Sequence, residues 1–257
     1  MNADLPLARR DAIAARLLKG KAVVAAALAA EFSVSEDAIR RDLRALAAEG
    51  RCRRVYGGAL PLSPATEPVI TRIREGAERK DSLARAAVTI VQPGETLFLD
   101  SGSTNLALVE FLHEDADLTV VTNAVEIAAA VLRRQDLRLV VVGGLADPVI
   151  GGCVDASAMQ TVARIRFDRV FLGACSVSAE FGVGAFHFAD ATFKRAVLDT
   201  SRHSTVLATS DKLTARPPYQ VARLERVDLL VLEAATTAEQ RLQLEEAGCR
   251  LLIASND

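Results

Sequence analysis

A chain of 257 residues, half of them hydrophobic and a quarter charged, has the composition of a soluble globular protein, long enough for two small domains or one large one. Its net charge of −2 is unevenly spread: residues 1–60 hold 11 Lys and Arg against 7 Asp and Glu, whereas residues 61–257 hold 20 against 26. A basic N-terminal piece on an acidic body confines any polyanion partner to the N-terminus, and no stretch reaches the ~20 uninterrupted apolar residues of a membrane span.

There is no Trp, aromatic residues are few and alanine is abundant, so the expected core is aliphatic. The four cysteines, Cys52, Cys153, Cys175 and Cys249, lack metal-ligand spacing and read as reduced thiols of a cytosolic protein. The N-terminal MNADLPLARRD has no apolar signal core. No cofactor is expected.

In chain order, Arg9–Lys19 reads as a helix with Ile13, Leu17 and Leu18 inward and Gly20 as its stop. Val23–Phe32 reads as a second helix on the stripe Val24, Leu28 and Phe32. A third helix follows the turn Ser33-Val34-Ser35 and closes at Gly50. Either Ser33 with Glu36 forms a capping box, or Ser35 is the N-cap. On a helical wheel Ile39, Leu43 and Leu46 share one narrow sector, while Asp37, Arg40, Arg41 and Arg44 lie opposite. Arg51–Ala59 reads as a two-stranded basic wing carrying Arg53, Arg54 and Tyr56. Three short helices and a wing describe a winged helix-turn-helix, whose third helix enters the major groove of DNA.

Pro61, Pro64 and Pro68 mark a linker, extended between Leu60 and Ile70. The domains are therefore drawn as 1–60, a linker 61–77, and 78–257. From Glu78–Val91, a helix, strands and helices alternate. The strands are Thr96–Leu99, Leu118–Val121, Leu137–Val142, Arg169–Leu172, Thr205–Ala208, Leu229–Leu232 and Leu251–Ile253; the helices are Asn105–Leu112, Val125–Arg134, Ala191–Ser201 and Ala238–Ala247. Continuous apolar strands separated by helices predict an α/β domain with a mostly parallel sheet covered on both faces.

Ligands of such sheets bind beyond the C-terminal strand ends. Asp100 leads into Ser101-Gly102-Ser103-Thr104, whose backbone N–H groups at a helix start suit a phosphate, although an ordinary turn with a Ser or Thr N-cap accounts for the same residues. Thr122-Asn123 ends the next strand, where Asn123 is either a ligand residue or a helix cap. Gly143-Gly144 permits close backbone approach or a turn. Lys194 and Lys212 complete a coherent phosphate clamp if they are not simply solvated. No catalytic set is visible: His113, His187 and His203 are far apart, no G-x-S-x-G elbow exists, and Cys175 has no motif-linked histidine.

These residues carry a resemblance to the DeoR family of bacterial sugar-metabolism regulators. It runs through Val34-Ser35, Ile39-Arg40-Arg41-Asp42-Leu43, Gly50, Arg54 and Gly57-Gly58-Ala59, then Asp100–Thr104, Thr122-Asn123, Gly143-Gly144, Phe193-Lys194-Arg195 and Ser210-Asp211-Lys212. The resemblance implies an operator-binding winged helix, a sensor akin to ribose-phosphate isomerases, a phosphorylated sugar or polyol as effector, and repression of a catabolic operon. Ala38 stands where many members carry threonine, Tyr56 where histidine is common, and Asp190 near a position that is often glutamate. Cys175 and Ser176 replace the acidic pair that follows Gly-Ala in the isomerases, which removes the expected general base.

The expectation is a cytoplasmic transcriptional regulator, a homo-oligomer (dimer or tetramer) on double-stranded operator DNA. Its DNA contacts would come from Ser35, Asp37, Arg40, Arg41, Arg44, Arg53, Arg54 and Tyr56. Ser101, Gly102, Ser103, Thr104 and Lys212 would hold the effector's phosphate, with Asp100, Thr122, Asn123, Gly143, Gly144 and Lys194 around the rest. The competing reading is an isomerase-like enzyme with an accessory helix-turn-helix.

Overall fold

In a computed structural model, which describes residues 6–18, 22–49, 51–61 and 67–255, the chain divides into two compact units, Met1–Pro64 and Ala65–Asp257. Lys19, the helix stops Gly20 and Gly50, Pro64 and the side chains of Leu18 and Arg53 lie outside the described residues.

The first unit runs α1 (Pro6–Leu18), β1 (Val23–Val24), α2 (Ala25–Glu31), α3 (Glu36–Ala48), β2 (Cys52–Val55) and β3 (Gly58–Pro61). Its core joins Ile13 and Leu17 of α1, Leu28 of α2, and Ile39, Leu43 and Leu46 of α3 with Cys52 and Ala59 of the wing. The expected second helix begins two residues late, because Val23 and Val24 pair with Ala59 and Gly58 as a third, antiparallel strand. That pairing needs Gly58: a Cβ there would stand 2.0 Å from the Val23 carbonyl oxygen. Val24, expected on the buried stripe, is exposed for the same reason. Inside the unit Arg9 Nε donates to Asp42 Oδ2 at 2.6 Å, a buried pair joining α1 to α3.

The second unit opens with α4 (Val69–Arg74), so the segment expected to be extended up to Ile70 turns helical at Val69, one residue after Pro68. There follow α5 (Ala77–Val88), β4 (Thr96–Leu99), α6 (Ser103–Phe111), β5 (Thr119–Thr122), α7 (Val125–Val131) and β6 (Arg138–Val141). A short hairpin, β7 (Ala146–Asp147) and β8 (Gly152–Cys153), leads to α8 (Ala156–Val162) and β9 (Phe167–Leu172). Then come β10 (Ser176–Ser178), β11 (Gly182–Ala185), α9 (Phe188–Asp199), β12 (Ser201–Ala208), a 3-10 turn Ser210–Leu213, β13 (Tyr219–Ala222), β14 (Leu229–Leu232), α10 (Ala238–Glu246) and β15 (Arg250–Ile253).

Seven strands form one sheet in the order β15-β14-β12-β9-β4-β5-β6, and every pairing in it is parallel. Alternation along β4 divides the core. Leu97 and Leu99 pack with α5, α6 and α7, while Phe98 packs with α8, α9 and the small antiparallel sheet β10-β11-β13. On that second face Phe98 lies 5.0 Å from Phe167 and 6.1 Å from Phe193, centroid to centroid. From β4 the chain winds outward through β5 and β6 in one direction and through β9, β12, β14 and β15 in the other. The strand order thus reverses between β4 and β9, and such a reversal opens a crevice at the carboxyl ends of the two strands.

No helix among the described residues is long and apolar enough to cross a membrane.

Candidate DNA-binding surface and ligand site

Ser35, in extended conformation, is the N-cap of α3: its hydroxyl accepts from Ala38 N at 3.3 Å. Ser33 instead takes a positive φ of 50° in the turn, and Glu36 turns away to accept from Arg40 at 2.8 Å. Asp37 accepts from Arg40 as well, at 3.2 Å. The Arg41 and Arg44 guanidinium groups donate to backbone carbonyls one turn earlier, Asp37 O and Arg40 O, both at 3.3 Å. The three arginines therefore stand along the exposed face of α3, opposite buried Ile39, Leu43 and Leu46. Arg54 is exposed on β2, and Tyr56 is fully exposed at the tip of the wing.

In the second unit the polar strand ends converge at the reversal. Asp100 is fully buried. Its carboxylate accepts from Ser101 N at 2.8 Å and, across the crevice, from Gly173 N at 2.8 Å. Lys194 reaches it from α9 at 3.1 Å and also pairs with Asp190, one helical turn before it. Burial works against the Lys194 charge, but Asp100 and Asp190 together outweigh it and hold its pKa above the usual lysine value. Two carboxylates take up two of the three ammonium donors, so Lys194 has one left for a ligand.

Asn123 is no helix cap. Its Oδ1 accepts from Ser101 N at 3.1 Å, and its Nδ2 donates to Cys153 O at 3.1 Å, tying the SGST loop to β8. Thr122 Oγ1 donates to Leu99 O at 2.6 Å and accepts from Ala124 N, which locks β5 to β4. Gly102 is the N-cap of α6 and supplies no side-chain cap; neither Ser nor Thr blocks the helix start. Lys212, on the 3-10 turn, donates to Thr104 Oγ1 at 3.3 Å and to Leu207 O at 3.1 Å. Burial pushes its ammonium down to about 8, helped by Arg72 and Lys80. The turn is held by Glu233, which accepts from Ser210 N at 2.6 Å and from Arg79 at 2.5 and 2.9 Å.

Asp100, Ser101–Thr104, Asn123, Lys194 and Lys212 are thus joined by one hydrogen-bonded corner. A Cβ on Gly143 would meet nothing within 4 Å, whereas Gly144 has a visible packing reason. A Cβ on Gly144 would stand 2.4 Å from Asp155 Oδ1, the carboxylate that caps α8. Sequence reasoning noted Asp190 only as a departure from the family pattern and left Gly173 and Arg72 out of the strand-end set. Asp190 had a signal in its four-residue spacing from Lys194; Gly173 contributes only a backbone N–H, and Arg72 lay in a stretch read as linker. Among the described residues no cluster of His, Cys, Asp and Glu has the arrangement of a metal site.

The model of the DeoR C-terminal sensor domain matches residues 75–234, and that of the DeoR-like helix-turn-helix domain matches residues 9–65. The chain belongs to the DeoR family. Among its relatives, the glycerol-3-phosphate regulon repressor of Escherichia coli strain K12 is 29% identical over 208 residues, 80% of this chain and 82% of that one. The uncharacterized HTH-type transcriptional regulator FruR of Bacillus subtilis strain 168 is 30% identical, over 70% and 72% of the two chains. The HTH-type transcriptional repressor GlcR of the same organism is 25% identical, over 88% of each. Like these DeoR relatives, the chain is a DNA-binding transcriptional regulator and not an enzyme.

Proposed function

We propose that this DeoR regulator represses a carbohydrate-catabolism operon in the cytoplasm, and that a phosphorylated sugar or polyol bound at the strand ends of its second unit sets its affinity for operator DNA. In this reading residues 1–60 bind the operator. The N-terminal half of α3 enters the major groove, with Arg40, Arg41 and Arg44 dividing base and phosphate contacts and Ser35 and Asp37 at the groove edge. Arg53, Arg54 and Tyr56 of the wing meet the backbone or minor groove. One such unit covers little DNA, so the active species is a dimer or tetramer on repeated half-sites.

The observation that carries the effector half is the crevice at the strand reversal. There an uncapped helix start, a half-buried lysine without a carboxylate partner and a buried Lys194 come together. The α6 N–H groups and Lys212 suit a phosphoryl group, while Lys194, Asn123 and Asp100 face the hydroxyls. A relative's name supports the ligand class: glycerol 3-phosphate is a phosphorylated polyol. Thermal unfolding of the full chain with paired phosphorylated and unphosphorylated sugars and polyols tests it. A phosphorylated member raises the midpoint while its unphosphorylated twin leaves it in place. No stabilisation by any phosphorylated compound would contradict the effector half.

A further inference from the structure

Arg72 of α4 stands half-buried, its Nε donating to Glu67 O at 3.0 Å and its Nη2 to Val149 O at 2.8 Å. Both partners are neutral carbonyls, and among the described residues it has no carboxylate partner. Two further cations share this condition. Lys80 donates only to the carbonyls of Arg72 and Glu75, and Lys212 only to Thr104 and Leu207 O. The other cations of the region are matched: Arg79 with Glu233 and Asp211, Lys194 with Asp100 and Asp190. Burial is the largest cause that lowers the pKa of Arg72, Lys80 and Lys212; Glu75 and Asp211 oppose it at Lys80 and Asp211 at Lys212, while Arg72 pushes both lysines further down. Ser101 Oγ, beside the same corner, is buried without a hydrogen-bond partner. Desolvated charges and hydroxyls are ordinarily matched by direct contact; among the described residues the carboxylates of Glu67, Asp190, Glu75 and Asp211 act on these three cations only through space, and none of those carboxylates makes a hydrogen bond or ion pair with them.

The surroundings of Arg72 lead somewhere. α4 lies on the strap between β7 and β8: Val69 N donates to Pro148 O, and a Cβ on Gly151 would stand 2.4 Å from Val69 Cγ1. The far side of the strap lies on the strand ends. Cys153 N donates to Asn123 O at 2.9 Å, and a Cβ on Gly152 would stand 2.7 Å from that oxygen and 3.1 Å from Ser101 Cβ. α4, the strap and the SGST corner are therefore one continuous stack. In chain order α4 is also the first described helix of the second unit.

We propose that Arg72 is a ligand of the phosphoryl group sensed at the strand ends, and that by engaging it the effector sets the seat of α4, the helix nearest in sequence to the DNA-binding unit. The proposal rests on reading the strand-end crevice as the phosphate site. A planar guanidinium with one free edge adds directional donors that the ammonium groups of Lys80 and Lys212 lack.

Calorimetric titration of the full chain with inorganic phosphate and with glycerol 3-phosphate, combined with amide hydrogen exchange, tests it. In the wild type, both ligands slow exchange in residues 69–74 and 147–153 as well as 101–106. Arg72→Met weakens binding by about tenfold or more. At saturation it regains protection at 101–106 but not at 69–74. Arg72→Lys, which keeps charge and stem, falls between the two with an unchanged unfolding midpoint, and it carries the test if Arg72→Met does not fold. Wild-type affinity in Arg72→Met or Arg72→Lys overturns the proposal, because a residue that merely staples α4 to the strap would behave so. Full ligand-induced protection of 69–74 in Arg72→Met overturns it too. A wild type that binds neither ligand overturns the phosphate reading itself, and this proposal with it.

Discussion

At the scale of single residues, Lys212 makes the account quantitative in pH. Its ammonium sits near 8 in the free protein. A phosphoryl dianion against Nζ raises that value, so the bound state takes up a proton. Affinity is then full below pH 8 and falls as pH rises through it, by up to about tenfold per unit until the bound-state value is reached. Titration of a phosphate ester between pH 7.5 and 9.5, where the ester is already a dianion, gives this slope. Lys212→Ala gives a flatter profile and an affinity lower by about 10–100-fold. A second residue-scale prediction concerns Asp42, which holds Arg9 in the winged unit with side chains 10% and 8% exposed. Asp42→Ala leaves a buried guanidinium without its counter-charge and costs about 3–5 kcal/mol of unfolding free energy. Arg9→Met with Asp42→Leu recovers most of the loss; a double variant no more stable than Asp42→Ala would contradict the desolvation argument. The residues legible in the sequence were those announced by local turn chemistry, such as Asp100–Thr104 and Asn123. Arg72 was not legible, because its meaning comes from Val149 O, far along the chain.

At the scale of elements, the 3-10 turn that carries Lys212 owes its position to one carboxylate. Glu233, at the end of β14, gathers Ser210 and Arg79 at once. Glu233→Ala frees the turn, so effector affinity falls about tenfold while DNA affinity without effector stays the same. Equal loss of both in parallel titrations would show a general folding defect instead. Gly58→Ala drives a methyl into the Val23 carbonyl and unpairs β1 from the wing. It lowers the unfolding midpoint of the winged unit by an amount equivalent to about 1–3 kcal/mol. The long apolar strands were readable because a parallel strand covered on both faces is a continuous aliphatic run, as in TLFL of β4 or LLVL of β14. The elements that went unread carry too few apolar residues to show a period. β1 has two residues, β10, β11 and β13 have three or four interleaved with Gly, Ser and Gln, and α4 buries none of its side chains fully. The strap that joins α4 to the strand ends is among them, so the stack from the strand ends to α4 was invisible in the sequence while the SGST corner was not.

At the scale of the molecule, the charge asymmetry separates two tasks that single substitutions can divide. Arg41→Ala removes a cation from the outer face of α3 and leaves the strand ends untouched. It weakens operator binding by about tenfold or more and leaves effector affinity unchanged. Regulation requires that effector binding favour one arrangement of the chain over another, since equal affinity for both would shift nothing. The most direct test is operator affinity measured by fluorescence anisotropy, on DNA from upstream of the protein's own gene, with and without a phosphorylated sugar or polyol that raises the unfolding midpoint. The account predicts a change in operator affinity of about 5–150-fold at saturation in the wild type, and a response displaced to about 10–100-fold higher effector concentration in Lys212→Ala, with its effector-free operator affinity intact. An operator affinity that stays constant in the wild type while the compound is demonstrably bound would contradict it.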